Sequence, residues 1–215
     1  MQGGITRDDG AGPQMLPWLL RSSLPAEDSP DRRPPGITES MPLEIVLGDI
    51  DDDICHAWRT RFRDPNVTVQ HRDFFDIDAD AYVSPANSHG IMDGGFDLLL
   101  RLRFPGVDVA VQREIDSLGG LLPVGAAVVV ETGDYDVPYL VSAPTMVVPS
   151  VIAGTNNVYR AMLGLLRAVH RFNLDFDEPI QTLAIPGLGT GVGRMPPTSA
   201  AEQMHEAYQE FLAEV

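Results

Sequence analysis

Short apolar, β-branched runs alternate along this chain with amphipathic stretches of helical period, and that alternation restricts it to an α/β architecture. Leu43–Leu47 reads as a strand closed by Gly48-Asp49. A helix is expected over Asp51–Phe62, with acids in its first turn and Ile54, Trp58 and Phe62 recurring on one face. Val67–Val69 and Ala81–Val83 read as strands, and Phe96–Arg103 and Val107–Leu118 as helices separated by Pro105-Gly106. Ala126–Glu131 is expected to be a buried strand, and Tyr139–Ser142 and Thr182–Ile185 are further strands. Val158, Met162, Leu165, Leu166, Val169 and Phe172 mark the clearest amphipathic helix. A last helix is expected to begin near Ser199, where Ser199-Ala200-Ala201-Glu202 has the capping-box pattern, and to carry Met204, Tyr208 and Phe211. The expected product is a central sheet with helices on both faces.

Residues 1–41 differ in texture. Pro13, Pro17, Pro25, Pro30, Pro34 and Pro35 interrupt every periodic pattern, so the segment reads as a disordered tail with one apolar island, Met15–Leu20. Residues 42–215 then form one domain of ordinary size, with no internal repeat. No apolar run approaches the ~20 residues of a membrane helix, and Met1–Gly12 contains no signal-like apolar region. The single cysteine, Cys55, excludes an internal disulfide and a multi-cysteine zinc site, which makes a reducing cytoplasm the expected compartment. Cys55 lacks a paired base in sequence and reads as structural. His56, His71, His170 and His205 lack ligand-like spacing, so no metal site is expected, and His89 reads as a loop residue. A net charge of −16 opposes binding of a nucleic-acid polymer or an anionic membrane. It does not oppose a nucleotide, because a nest of backbone N–H groups holds phosphate without a cation.

Three loops follow strands, and in open α/β sheets ligands gather at the carboxyl ends of strands. The first is Gly48-Asp49-Ile50, where Asp49 either caps the next helix or accepts a hydrogen bond from a ligand amino group. The second runs from Ser84 through Pro85, Ala86 and Asn87 to Gly94-Gly95-Phe96-Asp97, placing an amide and a carboxylate around flexible residues at a helix start. Asn87 as a turn residue and Asp97 as an N-terminal helix acid are the structural alternatives. The third, Gly187–Arg194, alternates glycines in a manner suited to a diphosphate. It is neither a P-loop nor Gly-x-Gly-x-x-Gly, and the chain has no Gly-x-Ser-x-Gly nucleophile elbow.

Together these loops resemble the macro domain family, which binds ADP-ribose. Gly48-Asp49-Ile50 is similar to the family's Gly-Asp-Ile element, whose aspartate contacts the adenine amino group. Ser84-Pro85-Ala86-Asn87 resembles Asn-Ala-Ala-Asn, Gly94-Gly95-Phe96-Asp97 resembles Gly-Gly-Val-Asp, and Gly189-Thr190-Gly191-Val192 resembles Ser-Thr-Gly-Val of the phosphate loop. The step from Asn87 to Asp97 matches the family's spacing. The resemblance implies a three-layer α/β/α fold with a central mixed sheet and no cofactor. It also implies that ADP-ribose or an ADP-ribosylated substrate is the partner of a chain expected to be a monomer. Asn87 and Asp97 would be catalytic, the first fixing the distal ribose and the second activating water at the anomeric carbon. Asp49, Ile50, Ala86, Gly94, Gly95, Phe96, Gly189, Thr190, Gly191, Val192 and Gly193 would line the ligand. Hydrolysis of a mono-ADP-ribosylated protein or of O-acetyl-ADP-ribose is the leading expectation. A non-catalytic reader, a phosphatase acting on ADP-ribose 1″-phosphate, and a scaffold with a degenerate pocket are the alternatives.

Three departures stand out. Ser84-Pro85 replaces Asn-Ala, and Met92-Asp93 interrupts the glycine run with a carboxylate. Gly193 stands where many members carry an aromatic that packs on the distal ribose.

Overall fold

The computed structural model describes residues 43–176 and 179–215; the tail of residues 1–41 and its apolar island lie outside the described residues. Six strands, β1 Glu44–Asp49, β2 Val67–His71, β3 Ala81–Ser84, β4 Val128–Glu131, β5 Tyr139–Ser142 and β6 Thr182–Ile185, form one sheet in the order β2-β1-β6-β3-β5-β4. All neighbours are parallel except β4, which runs antiparallel to β5. The helices are α1 Asp52–Arg61, α2 Gly95–Arg103, α3 Val107–Ser117, α4 Asn157–Asp175 and α5 Pro197–Glu214, with a short 3-10 turn at Phe74–Asp76.

Strand alternation divides the core in two. Ile45, Leu47, Val83, Leu183 and Ile185 face α1, α4 and α5, where Ile54, Trp58, Leu165, Met204 and Tyr208 complete the packing. Val46, Tyr82, Leu140 and Ala184 face α2 and α3, against Leu100, Phe104, Val111 and Ile115. The central strands are therefore apolar on consecutive residues, as covering a parallel sheet on both sides requires. The expected three layers and mixed sheet are present.

Three local expectations are corrected. Ala126–Glu131 is not a buried strand throughout: only Val128–Glu131 is strand, it lies at the sheet edge, and of its four residues only Val130 is buried. Its apolar run survives at the edge because Val129 packs on one core cluster while Val128 and Val130 pack on the other. The last helix starts at Pro197, and no side chain caps it. Proline at the first helical position has no N–H to satisfy and a preset φ, so the Ser199 box is not needed. Finally, β1 does not end at Leu47, because Gly48 and Asp49 stay in ladder register with Gln70 and His71. A Cβ on Gly48 would lie 2.1 Å from Ile77 Cδ1, so this glycine serves close packing under the strand.

Candidate functional site

The carboxyl ends of β1, β3 and β6, with the segment after β5, enclose a cleft of about 730 Å³. Every residue that the resemblance assigns to ligand or catalysis lines it: Asp49, Ile50, Ala86, Asn87, Gly94, Gly95, Phe96, Asp97, Gly189, Thr190, Gly191, Val192 and Gly193. Ile50 is on the rim, 73% exposed.

At one end, Asp49 joins two strands. Its Oδ1 accepts from Asp51 N at 3.0 Å and its Oδ2 from Gly187 N at 3.2 Å. Asp49 thus binds backbone N–H groups on both sides of the cleft floor, but the N-cap of α1 is Asp51, which accepts from Asp53 N at 2.8 Å. Each Asp49 oxygen retains lone-pair capacity for a ligand amino group.

The second loop is built around Asn87, which is buried. Its Oδ1 accepts from His89 N at 3.1 Å and Ile91 N at 3.3 Å, and its Nδ2 donates to Ile91 O at 2.7 Å. The amide therefore holds the turn together, and one Nδ2 hydrogen remains for another partner. Ala86 O accepts from Thr145 N at 3.0 Å, which ties this loop to the segment after β5. Gly95 opens α2 with φ +56°, a backbone state that favours glycine. Phe96 stacks on Phe75, with ring centroids 5.8 Å apart.

Asp97 lies in the first turn of α2 and is 8% exposed. Its Oδ1 accepts from Ser84 Oγ at 2.5 Å, and among the described residues its Oδ2 takes no hydrogen bond. Burial pushes its pKa from 3.8 up to about 6; the Ser84 hydrogen bond opposes that rise and the charge of exposed Asp93 adds to it.

The third loop is closely packed and hydrogen-bonded despite its glycines. Gly189 has φ +70°, and a Cβ there would lie 2.7 Å from Ile152 Cδ1. Thr190 Oγ1 donates to Gly187 O at 3.1 Å, Arg194 N to Gly191 O at 3.0 Å and Met195 N to Gly189 O at 3.0 Å. A Cβ on Gly193 would lie 2.5 Å from Gly189 O, and Gly193 O already accepts from Ile152 N at 2.8 Å. An aromatic side chain, which the resemblance would place here, cannot be seated without moving backbone. Val192 approaches within 3.9 Å of the Cβ position of Gly95, so the second and third loops meet across the cleft. Two sets of backbone N–H groups, a helix start and a glycine turn, then flank one space suited to an anion.

A protein-family model described as "Macro domain" matches residues 83–204, more than half of the chain and the span holding the second and third loops. The chain belongs to the macro domain family. An uncharacterized protein of Aquifex aeolicus is 34% identical to this macro domain over 146 residues, 68% of this chain and 82% of that protein. The DNA ADP-ribosyl glycohydrolase of Mycobacterium tuberculosis is 26% identical over 149 residues, 67% of this chain but 39% of the glycohydrolase. Among solved structures, the macrodomain of M. tuberculosis DarG shares the fold with a TM-score of 0.56 at 24% identity, covering 66% of this chain and 90% of that one. The Oceanobacillus iheyensis macrodomain with ADP gives 0.54 at 16%, covering 67% and 75%.

Sequence reasoning about this macro domain missed two walls of the cleft. Phe74 and Phe75, on the short 3-10 turn, and Thr145, Met146 and Pro149, after β5, all line it. The Phe-Phe pair followed by alternating aspartates carried no motif, and the second wall follows a strand end that no glycine loop marks. Cys55 is buried outside the site, its thiol donating weakly to Asp49 O at 3.4 Å, and burial raises its pKa. It is no nucleophile in this state. Among the described residues, no group of three or more His, Cys, Asp or Glu side chains could hold a metal ion.

Proposed function

We propose that this macro domain binds ADP-ribose along the cleft and hydrolyses the bond between the distal ribose and its acceptor. The observation that carries this reading is Asp97: a nearly buried carboxylate with one oxygen held by Ser84 and the other free, lining a cleft flanked by two phosphate-suited loops. In this reading Asp49 accepts from the adenine amino group. The diphosphate lies between the α2 N-terminus at Gly94–Phe96 and the turn at Gly189–Val192. The remaining Nδ2 hydrogen of Asn87 reaches a distal-ribose hydroxyl.

For a protein joined through the anomeric carbon, a water attacks that carbon, Asp97 accepts the proton it loses, and the acceptor departs with the electron pair of the broken bond. For O-acetyl-ADP-ribose the water attacks the acetyl carbonyl carbon, Asp97 accepts its proton, and the ribose oxygen leaves with the electron pair of the ester bond and takes that proton. A pKa of about 6 leaves Asp97 mainly ionised at neutral pH yet basic enough to take that proton. A single base of this kind contributes about 10²–10⁴-fold; positioning and the loop dipoles supply the rest. The chain contains no lysine, so a Schiff-base route through a lysine amine is not open to it.

The cleft's charge bears on the acceptor. Asp49, Asp51, Asp73, Asp93 and Asp97 line it, and among the described residues no Lys, Arg or His does. A nucleic-acid strand is held chiefly by cations on its phosphates. This wall therefore favours an ADP-ribosyl group carried by protein or by acetate over one carried on DNA, the acceptor in the name of the mycobacterial relative.

Calorimetric titration with ADP-ribose tests the first half of the proposal, and absence of binding would sink it. Incubation with a mono-ADP-ribosylated protein and with O-acetyl-ADP-ribose tests the second. The expected result is release of ADP-ribose that Asp97→Ala abolishes, while affinity stays within about tenfold. Binding without release would instead assign a reader. That reading draws on Asn87, whose carbonyl oxygen is already committed to its own loop. Phosphate release from ADP-ribose 1″-phosphate would assign a phosphatase.

A further inference from the structure

We infer that Ser84 is a positioning residue for the hydrolytic step, fixing Asp97 so that Oδ2 is the oxygen presented to the attacking water. The inference rests on the hydrolase reading for its kinetic consequences, but its physical content is independent of turnover. Ser84 is the last residue of β3, and strand alternation places it on the same side as Tyr82, toward α2 and α3. It is 1% exposed, and Asp97 is 8% exposed. The two are thirteen residues apart in sequence and meet through a 2.5 Å hydrogen bond from Ser84 Oγ to Asp97 Oδ1.

A hydroxyl has one proton to donate, and Ser84 gives it to Asp97. A buried carboxylate with one fixed oxygen cannot rotate freely, so its second oxygen holds one direction relative to the cleft. A hydroxyl-to-carboxylate bond is also charge-assisted, and so favours the ionised form that serves as base. The charge of the exposed Asp93 opposes that form.

Ser84→Ala and Ser84→Thr provide the test, with the Asp97 carboxyl followed by carbon-13 NMR beside steady-state kinetics. In Ser84→Ala the Asp97 midpoint should rise by about one pH unit, and the acid limb of the rate profile should move with it. Misdirection of the base should lower kcat by about 10–100-fold, while KM and the ADP-ribose Kd stay within about threefold. Ser84→Thr keeps the hydroxyl and should restore the midpoint and most of kcat. Ser84→Gly, which leaves no side chain to repack, guards against an alanine-specific packing effect and should behave as alanine does. An unshifted Asp97 midpoint in a folded Ser84→Ala protein overturns the inference, as does equal loss in Ser84→Ala and Ser84→Thr. If the wild type binds ADP-ribose but turns over nothing, the hydrolase reading fails. The NMR midpoints still decide whether Ser84 governs Asp97.

Discussion

Replacing Asp97 with asparagine separates the function of this carboxylate from its cost. In the folded chain its pKa stands at about 6 against an ordinary 3.8, so ionisation is harder in the native state than in the unfolded one. That difference corresponds to about 3 kcal/mol, at about 1.4 kcal/mol per pH unit. Because the folded value is the higher one, the unfolded chain releases this proton first. The native state keeps its full stability below about pH 4 and loses this contribution as pH rises through about 6. An asparagine at this position has no proton to lose and carries no such penalty, yet its amide oxygen still accepts from the Ser84 hydroxyl. Urea unfolding of both proteins at several pH values between about 4 and about 7.5 isolates the effect, since titrating groups that do not interact with Asp97 cancel in the difference. The stability of Asp97→Asn relative to wild type should climb across that window by about 2–3 kcal/mol, while turnover disappears. A difference that stays flat with pH would mean that Asp97 is not held in an environment hostile to its charge, and so is not a tuned base.

The glycine loop offers a graded series. Gly193→Ala forces a Cβ to 2.5 Å from the Gly189 carbonyl, and Gly189→Ala places a side chain at φ +70° against Ile152. Thermal melts should show each losing about 1–3 kcal/mol, with weaker ADP-ribose binding by calorimetry. Gly191→Ala, which meets nothing within 4 Å, should stay within about 0.5 kcal/mol of wild type. Asp49→Ala removes the acceptor for two backbone N–H groups, one on buried Gly187, and should cost about 1–3 kcal/mol in denaturant titration. Asp49→Asn keeps one carbonyl acceptor and should cost less. The buried, up-shifted Cys55 thiol should resist alkylation at neutral pH until denaturant exposes it, which mass spectrometry reads directly.

What the sequence determined by itself is what depends on neighbours along the chain. Helical and strand periods, the acids opening α1 and the glycines at strand ends are local signals, and so the α/β alternation and the three loops were legible. Order across the sheet was not, because nothing in Thr182–Ile185 says that it inserts between β1 and β3. Nor does the run Ala126–Glu131 say that it lies at an edge, since an apolar strand packed half on each face reads like one buried on both. Asp97 was legible as a carboxylate ten residues beyond Asn87; its perturbed acidity was not. That property comes from burial and the charge of Asp93, partly offset by a hydrogen bond from Ser84, all set by packing. The Gly193 departure read from sequence as a missing aromatic, but the fold gives it a steric reason: Gly189 O and Ile152 occupy the space a side chain would need. The Phe74–Phe75 wall and the Thr145–Pro149 wall reach the cleft only because 3-10 and loop segments distant in sequence converge at the carboxyl ends of the strands. Residue identity supplied the chemical groups. Tertiary packing decided which of them lose water and face one another, and so which carboxylate is tuned to act as a base.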